Sequence, residues 1–332
     1  MARVTVQSIA DQLGLSKFAV SRALSGHSGV SATTRAAVVE LAERLGYNPR
    51  SRPQAKKTSI EIIYHDPDVM YRNLWTEVQA GAQIEATQRE VNAAVRLTDD
   101  PAVIAELGRT ADGFMLLGPH DDIILEAARN TGRPCIRVGD PLPPLDVMDY
   151  VSGVDEEGAS AVAQYLLAEG HRSFVYVHGK LGFPRRMARY RSFLEVIEGH
   201  EGVGVRELVL SDDSAPGEFS EALVALHRDG VRPTGFFCGS DYVAVTVLTE
   251  LLRMGIHVPE QASVVGYADY VVAQHTSPAL TTVRVPFRQM GAVAMRQLLG
   301  RIGGTGINND LPPQRIGLVP KLILRGSSGR AP

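Results

Sequence analysis

From residue 60 onward, short apolar runs alternate with stretches of helical periodicity, and that rhythm admits few folds. The runs that read as strands fall at 60–64, 93–97, 114–117, 135–138, 174–178, 208–210, 235–238, 263–267 and 281–285. Helical patterns lie between them, such as 74–89, 156–169, 190–197, 242–254 and 287–301. Strand, helix and strand again is the pattern of a parallel sheet covered by helices on both faces. Roughly ten such units exceed one sheet, so two doubly wound lobes are the economical arrangement. Folds of that kind take small molecules at the carboxyl ends of their strands, which here means the cleft between lobes.

The first 57 residues obey a different pattern. Thr5 is a good N-cap for a helix whose apolar face is Val6, Ile9, Ala10 and Leu13, and Gly14 is a natural stop. Ser16 caps a second helix to about Leu24, and Ser31 caps a third that carries Val38, Leu41, Ala42 and Leu45 before Gly46. A gap of about three residues holding a glycine separates the first two helices, which is helix-turn-helix spacing. Nine Lys or Arg stand against three acids in this stretch, a net charge of +6, while the remainder of the chain carries −9. A basic head on an acidic body suits a module that docks on phosphates joined to one that does not. The N-terminal residues of a helix laid in the major groove face base edges. Here those are Lys17, Phe18 and Ser21, with Arg22 one turn on. Lys and Arg can donate to guanine O6 and N7, whereas Phe18 can only make apolar contact. The hydroxyls of Thr5, Ser16 and Ser31, at helix starts, suit phosphate oxygens.

Helical spacing alone would equally describe a small bundle that binds another protein; the particular residues narrow it. Val4-Thr5-Val6, Ile9-Ala10, Leu13-Gly14-Leu15-Ser16, Val20-Ser21-Arg22-Ala23-Leu24, Val30-Ser31, Thr34-Arg35 and Leu45-Gly46-Tyr47-Asn48-Pro49 closely resemble the head of the lac repressor (LacI/GalR) family. The likeness continues in Val154-Asp155-Glu156-Glu157-Gly158, Ser240-Asp241-Tyr242, Gly255-Ile256-His257-Val258-Pro259 and Pro278-Ala279-Leu280-Thr281. The resemblance implies an N-terminal all-α helix-turn-helix head and an α/β periplasmic-binding-protein-like body of two doubly wound parallel-sheet lobes. It divides the chain into a DNA-binding head at 1–49, a basic hinge or linker at 50–58, and an effector-binding and dimerisation domain at 59–327. Lobe 1 is then about 59–153 with 286–313, and lobe 2 about 154–284 with 314–327. The implied function is sequence-specific repression, with operator affinity set by a small molecule held between the lobes. DNA contacts are expected from the head residues above together with Asn48, Arg50 and Lys56. The linker departs from the family: it has no leucine wedge, and Pro53 would break a helix interior. Less kinking of the operator follows as an expectation.

For the effector, Arg189 falls where the family keeps an arginine on sugar hydroxyls, Asp241 where it keeps an aspartate, and Phe287 where an aromatic ring packs on the ligand. Asp66, Tyr71, Arg137 and Ser240 complete the expected contacts. Asp241 could instead simply cap the following helix, and Phe287 could be core. Gly266-Tyr267-Ala268-Asp269 lacks the first aspartate of the family's Gly-Tyr-Asp-Asp, and an alanine accepts no hydrogen bond. A sugar or sugar derivative is the expected effector, with an anionic or phosphorylated metabolite second.

No phosphate loop or nucleophile elbow is present in the sequence, and the nine histidines show no metal spacing, so neither catalysis, cofactor nor metal is expected. Cys135 and Cys238, in apolar runs, read as reduced core thiols. The chain shows no signal-peptide pattern and no membrane-length apolar run, so a cytoplasmic location is expected. The expected partners are a pseudo-palindromic double-stranded DNA operator, a small effector and a second copy of the chain. Its C-terminal stretch carries no heptads, so a dimer is expected rather than a coiled-coil tetramer.

Overall fold

A computed structural model describes residues 4–25, 29–47, 57–66, 73–215, 217–304 and 311–332. It divides into two compact units, Met1–Lys57 and Thr58–Pro332. In the first, α1 (Val6–Leu13), α2 (Lys17–Leu24) and α3 (Ala32–Arg44) close on Ile9, Ala10, Val20, Ala23, Val38, Leu41 and Ala42. Every expected cap is in place: the Thr5, Ser16 and Ser31 hydroxyls each accept from the backbone N–H three residues on. Gly14 ends α1 at φ +62°, a conformation that any Cβ would strain. The basic linker around Pro53 lies outside the described residues.

The second unit runs β1 (Ser59–Tyr64), α4 (Asn73–Gln88), β2 (Asn92–Leu97), α5 (Pro101–Leu107), β3 (Gly113–Leu117), α6 (Asp122–Asn130), β4 (Cys135–Val138) and β5 (Asp149–Gly153). The chain then enters the second lobe with α7 (Asp155–Ala168), β6 (Ser173–Val177), α8 (Pro184–Glu198), β7 (Gly204–Leu208) and α9 (Glu218–Arg228). That lobe continues through β8 (Gly235–Cys238), α10 (Asp241–Arg253), β9 (Ser263–Ala268), α11 (Val272–His275) and β10 (Thr281–Arg284). Last come α12 (Phe287–Ile302), β11 (Arg315–Leu318) and β12 (Lys321–Ile323). The strands form two six-stranded sheets, ordered β11-β5-β4-β3-β1-β2 and β12-β10-β9-β8-β6-β7. Among the described residues, all pairings are parallel except β10 with β12. Among the described residues, no helix is long and apolar enough to cross a membrane.

Two sequence expectations need correction. The seventh strand lies at Gly204–Leu208, not at 208–210, because Arg206 and Glu207 face solvent on a sheet edge and hide the strand from an apolar search. The return to the second lobe comes after β11, not at 313/314: Arg315–Leu318 pairs with β5 in the first sheet. Three chain crossings therefore link the lobes, after Gly153, after Arg284 and after Leu318. β5, β11 and β12 were not among the expected strands; they are short and carry little apolar pattern.

Helix α12 seats the returning chain on the first lobe by packing against α4 at glycine contacts. A Cβ on Gly81 would stand 1.8 Å from the Arg288 carbonyl oxygen, and one on Gly291 1.8 Å from that of Val78. Neither carbonyl can move without breaking its helix. Gly291→Ala therefore forces the helices apart, and we expect it to cost about 3 kcal/mol, the upper part of the range for overpacking. Thermal melting of the full chain checks this; an unchanged midpoint would contradict the close approach.

Candidate functional site

Two sites emerge, one in each unit. In the head, Lys17 and Phe18 occupy the exposed first turn of α2, with Ser21 and Arg22 half-buried one turn on. Phe18 is 69% exposed, an aromatic ring that the small core leaves to solvent. The Arg22 guanidinium carbon lies 5.4 Å from the centroid of that ring. Phe18 and Arg22, four residues apart, thus share one helix face, with a cation supported on an apolar plate and Lys17 exposed beside them. Such a face can donate to guanine while packing on a thymine methyl. Asn48, Arg50 and Lys56 lie outside the described residues.

In the body, a cavity of about 750 Å³ opens between the lobes, a size suited to a small organic ligand. Four expected residues line it: Arg137, Arg189, Ser240 and Phe287. Tyr71 lies outside the described residues, and Asp66 is not part of the lining. Residues that the sequence reading missed are Trp75, Asp140, Lys180, Tyr242 and Tyr270. The position of Asp140, two residues beyond β4, is the strand-end signal that would have found it.

The cavity floor is built on Asp155, the first residue of α7 and 3% exposed. It accepts from Arg185 Nε at 2.8 Å, Arg189 Nε at 3.2 Å and the Tyr267 hydroxyl at 2.9 Å. Burial works against charge on Asp155, but the Arg189 and Arg185 guanidiniums outweigh it and hold the carboxyl below its usual range. Arg189 also donates to the Gly239 carbonyl at 2.5 Å and lies over the Tyr267 ring, 3.8 Å from its centroid. Arg185 reaches the other lobe, donating to the carbonyls of Gly139 at 2.5 Å and Gly153 at 2.9 Å. Both arginines face the ligand space with much of their hydrogen-bonding capacity already in use.

A row of aromatic rings crosses from lobe to lobe. Tyr242 lies 5.3 Å from Tyr270, which stacks on Phe287 at 6.3 Å with planes 15° apart. Asn73 of the first lobe donates to the Tyr242 hydroxyl at 2.7 Å, closing the same side. Ser240 caps α10 by accepting from Val243 N at 3.3 Å and receives Arg186 at 3.3 Å.

Asp241 does not face the cavity, contrary to expectation. Its carboxylate is buried under β9, accepting from Tyr270 N at 2.6 Å and the Thr282 hydroxyl at 2.5 Å. A Cβ on Gly266 would meet it at 2.3 Å, which leaves no room for a ligand on that side. Ala268, at φ +118°, lines the cavity at the place of the missing aspartate. The adjacent Asp269 is consumed by Arg284 and Arg325, each at 2.6 Å.

Comparison with known proteins finds likenesses in both units. Residues 5–50 match the model of bacterial regulatory proteins, lacI family, and residues 163–328 that of the periplasmic binding protein-like domain. The HTH-type transcriptional repressor PurR of Yersinia pestis bv. Antiqua (strain Antiqua) is 28% identical over 348 residues, covering 99% of this chain and 98% of the relative. A lac repressor dimer bound to operator and the anti-inducer ONPF superposes with a TM-score of 0.69 at 20% identity, covering 98% of this chain and 99% of that one. The CelR–cellobiose complex does so with a TM-score of 0.66 at 24% identity, covering 98% of this chain and 100% of that one.

Burial pushes the Asp241 carboxyl up to about 6, against the donors that favour its charge. A carboxyl raised in the folded state binds its proton more tightly there than in the unfolded chain, where it titrates near 3.8. Its contribution to stability therefore grows as pH falls from 7 towards 4. Asp241→Asn removes that titration, and we expect wild type to gain about 2 kcal/mol relative to the variant over this interval. Melting both proteins across the pH range measures the difference; two parallel curves would contradict it.

Proposed function

The chain belongs to the LacI family of bacterial regulatory proteins, and from that membership we propose how its two sites work together as a ligand-controlled DNA-binding repressor. The observation that carries the reading is a single one: a head presenting Phe18 and Arg22 on one helix face, with Lys17 exposed in the same first turn, is joined to a body enclosing a two-walled cavity. Two heads on a two-fold dimer grip a pseudo-palindromic operator, with Arg22 and Lys17 donating to bases and helix N-termini receiving phosphates. The similar lac repressor structure is itself a dimer on its operator, which supports that assembly. The site of action is the cytoplasm, where the operator is.

The effector is a sugar or sugar derivative. Aromatic rings from both lobes, among them Trp75, Tyr270 and Phe287, supply apolar plates for the faces of a sugar ring, and charged groups ring its edge. Similar proteins hold cellobiose and ribose. A ligand touching both walls favours one angle between the lobes, and three chain crossings convert that angle into a displacement at the base of the first lobe. A coupling of about 1–3 kcal/mol is the usual scale for such control.

Arg22→Ala tests the head. We expect operator affinity to fall about 10- to 100-fold while affinity for random DNA changes little, because a base-reading contact is lost and phosphate contacts remain. Fluorescence anisotropy on the chain's own upstream DNA and on a scrambled duplex, at two salt concentrations, gives both numbers. Equal losses on the two duplexes would make Arg22 a phosphate contact.

A further inference from the structure

Arg137 is the one expected ligand contact that the described protein leaves without a partner. It sits on β4 between Leu116 of β3 and Tyr150 of β5, at the ligand-facing end of the first sheet. Its residue is only 6% exposed, its side chain lines the cavity, and its Nε meets no acceptor. Among the described residues it makes no hydrogen bond and no ion pair within 4.0 Å. The acids around it are otherwise engaged or more distant. Asp146 is paired with Arg129, Asp122 begins α6, and Asp140 is the nearest in electrostatic effect without forming a pair. Burial disfavours the charge on Arg137, and it disfavours that on Asp140 as well. His120 faces the same guanidinium. Its Nδ1 donates to the Gly118 carbonyl at 3.0 Å, and burial pushes it down to about 4, so it adds no charge at neutral pH.

A buried guanidinium with no directly paired carboxylate is costly, and its planar fork matches a carboxylate better than any neutral group. The charges along the rest of the cavity point the same way. Arg186 and Asp213 neutralise each other, while Asp155 faces two arginines. Counting also Lys180, Asp140 and Asp212, the described lining holds five basic groups and four acidic ones. A ligand with one negative charge balances it.

We propose that the effector is a sugar acid, a hydroxylated ring bearing one carboxylate, and that Arg137 binds that carboxylate. This rests on the reading of the cavity as the effector site and names the ligand class. Lobe 1 then contributes the anion contact, and the aromatic row and the Arg189 face hold the ring.

The test uses the full-length chain and matched sets: galactose, galacturonate and galactose 6-phosphate, with the glucose and mannose counterparts, at constant ionic strength. Thermal midpoint and relief of operator binding are read for wild type, Arg137→Met and Arg137→Lys. We expect a uronate to raise the wild-type midpoint where its neutral parent does not, and Arg137→Met to weaken that binding at least about 10-fold. Arg137→Met should melt no lower than wild type without ligand and keep its operator affinity. Arg137→Lys should recover part of the response. A neutral sugar that protects wild type and Arg137→Met equally overturns the proposal and leaves the sensor reading standing. Tighter binding of the 6-phosphates than of the uronates overturns the single carboxylate. A ligand-free Arg137→Met that melts well below wild type makes Arg137 a structural residue. No response to any compound in either assay, with operator binding intact, overturns both this proposal and the sugar-sensor reading.

Discussion

The cavity depends on one buried carboxylate. Asp155 stands at the point where the chain leaves the first sheet, and it is the shared acceptor of Arg185, Arg189 and Tyr267. An ionised carboxylate at that depth is unstable alone, and one missing donor would leave a buried charge uncompensated. With all three in place the same group fixes the direction of two long side chains. Arg185 is then aimed across the cleft at Gly139 and Gly153, and Arg189 is held flat on Tyr267. The position of Asp155 in the first turn of α7 helps, because the helix N-terminus favours negative charge there.

That arrangement bears on how the lobes move. Arg185 belongs to α8 in the second lobe but donates to carbonyls of the first, close to a chain crossing. It ties the lobes near the hinge, where relative motion is smallest. The Asn73–Tyr242 hydrogen bond and the Tyr242–Tyr270–Phe287 row lie in the cleft itself. Contacts there respond to a change of lobe angle more strongly than contacts at the hinge. A ligand on the aromatic row and on the first-lobe strand ends therefore acts where small energies alter the angle most.

Much of this was legible in the sequence, and the exceptions have physical reasons. The head could be read almost residue by residue, since caps, glycine stops and apolar stripes are local signals. The strands buried on both faces, such as β1, β3 and β8, announced themselves as unbroken apolar runs. β7 and β11 did not, because edge strands with exposed polar residues carry no such run. Of the expected contacts, Arg137, Arg189, Ser240 and Phe287 line the cavity, whereas Asp241 does not. The alternative weighed for Asp241, that it simply caps its helix, does not describe it either: Ser240 is the cap, and Asp241 accepts from Tyr270 N and the Thr282 hydroxyl. No sequence pattern distinguishes a carboxylate that faces a cavity from one turned beneath a strand. Asp155 was visible only as part of a motif, since its role depends on arginines 30 and 34 residues away.

The polarity of the cavity also differs from one wall to the other. At position 268 the backbone adopts φ +118°, a conformation that suits glycine better than alanine. Keeping alanine there retains backbone strain and supplies no acceptor. Asp269, next in the chain, is spent on Arg284 and Arg325, and Asp155 has its three donors, so neither offers a lone pair to a sugar hydroxyl at little cost. On the opposite wall Arg137 makes no hydrogen bond among the described residues, and its Nε is buried without an acceptor. Hydroxyl groups need acceptors as well as donors to replace the water they leave, and a donor-rich cavity meets that need poorly. A ligand that brings its own acceptors, and a negative charge with them, removes the mismatch at Arg137 without asking for the aspartate that position 268 lacks.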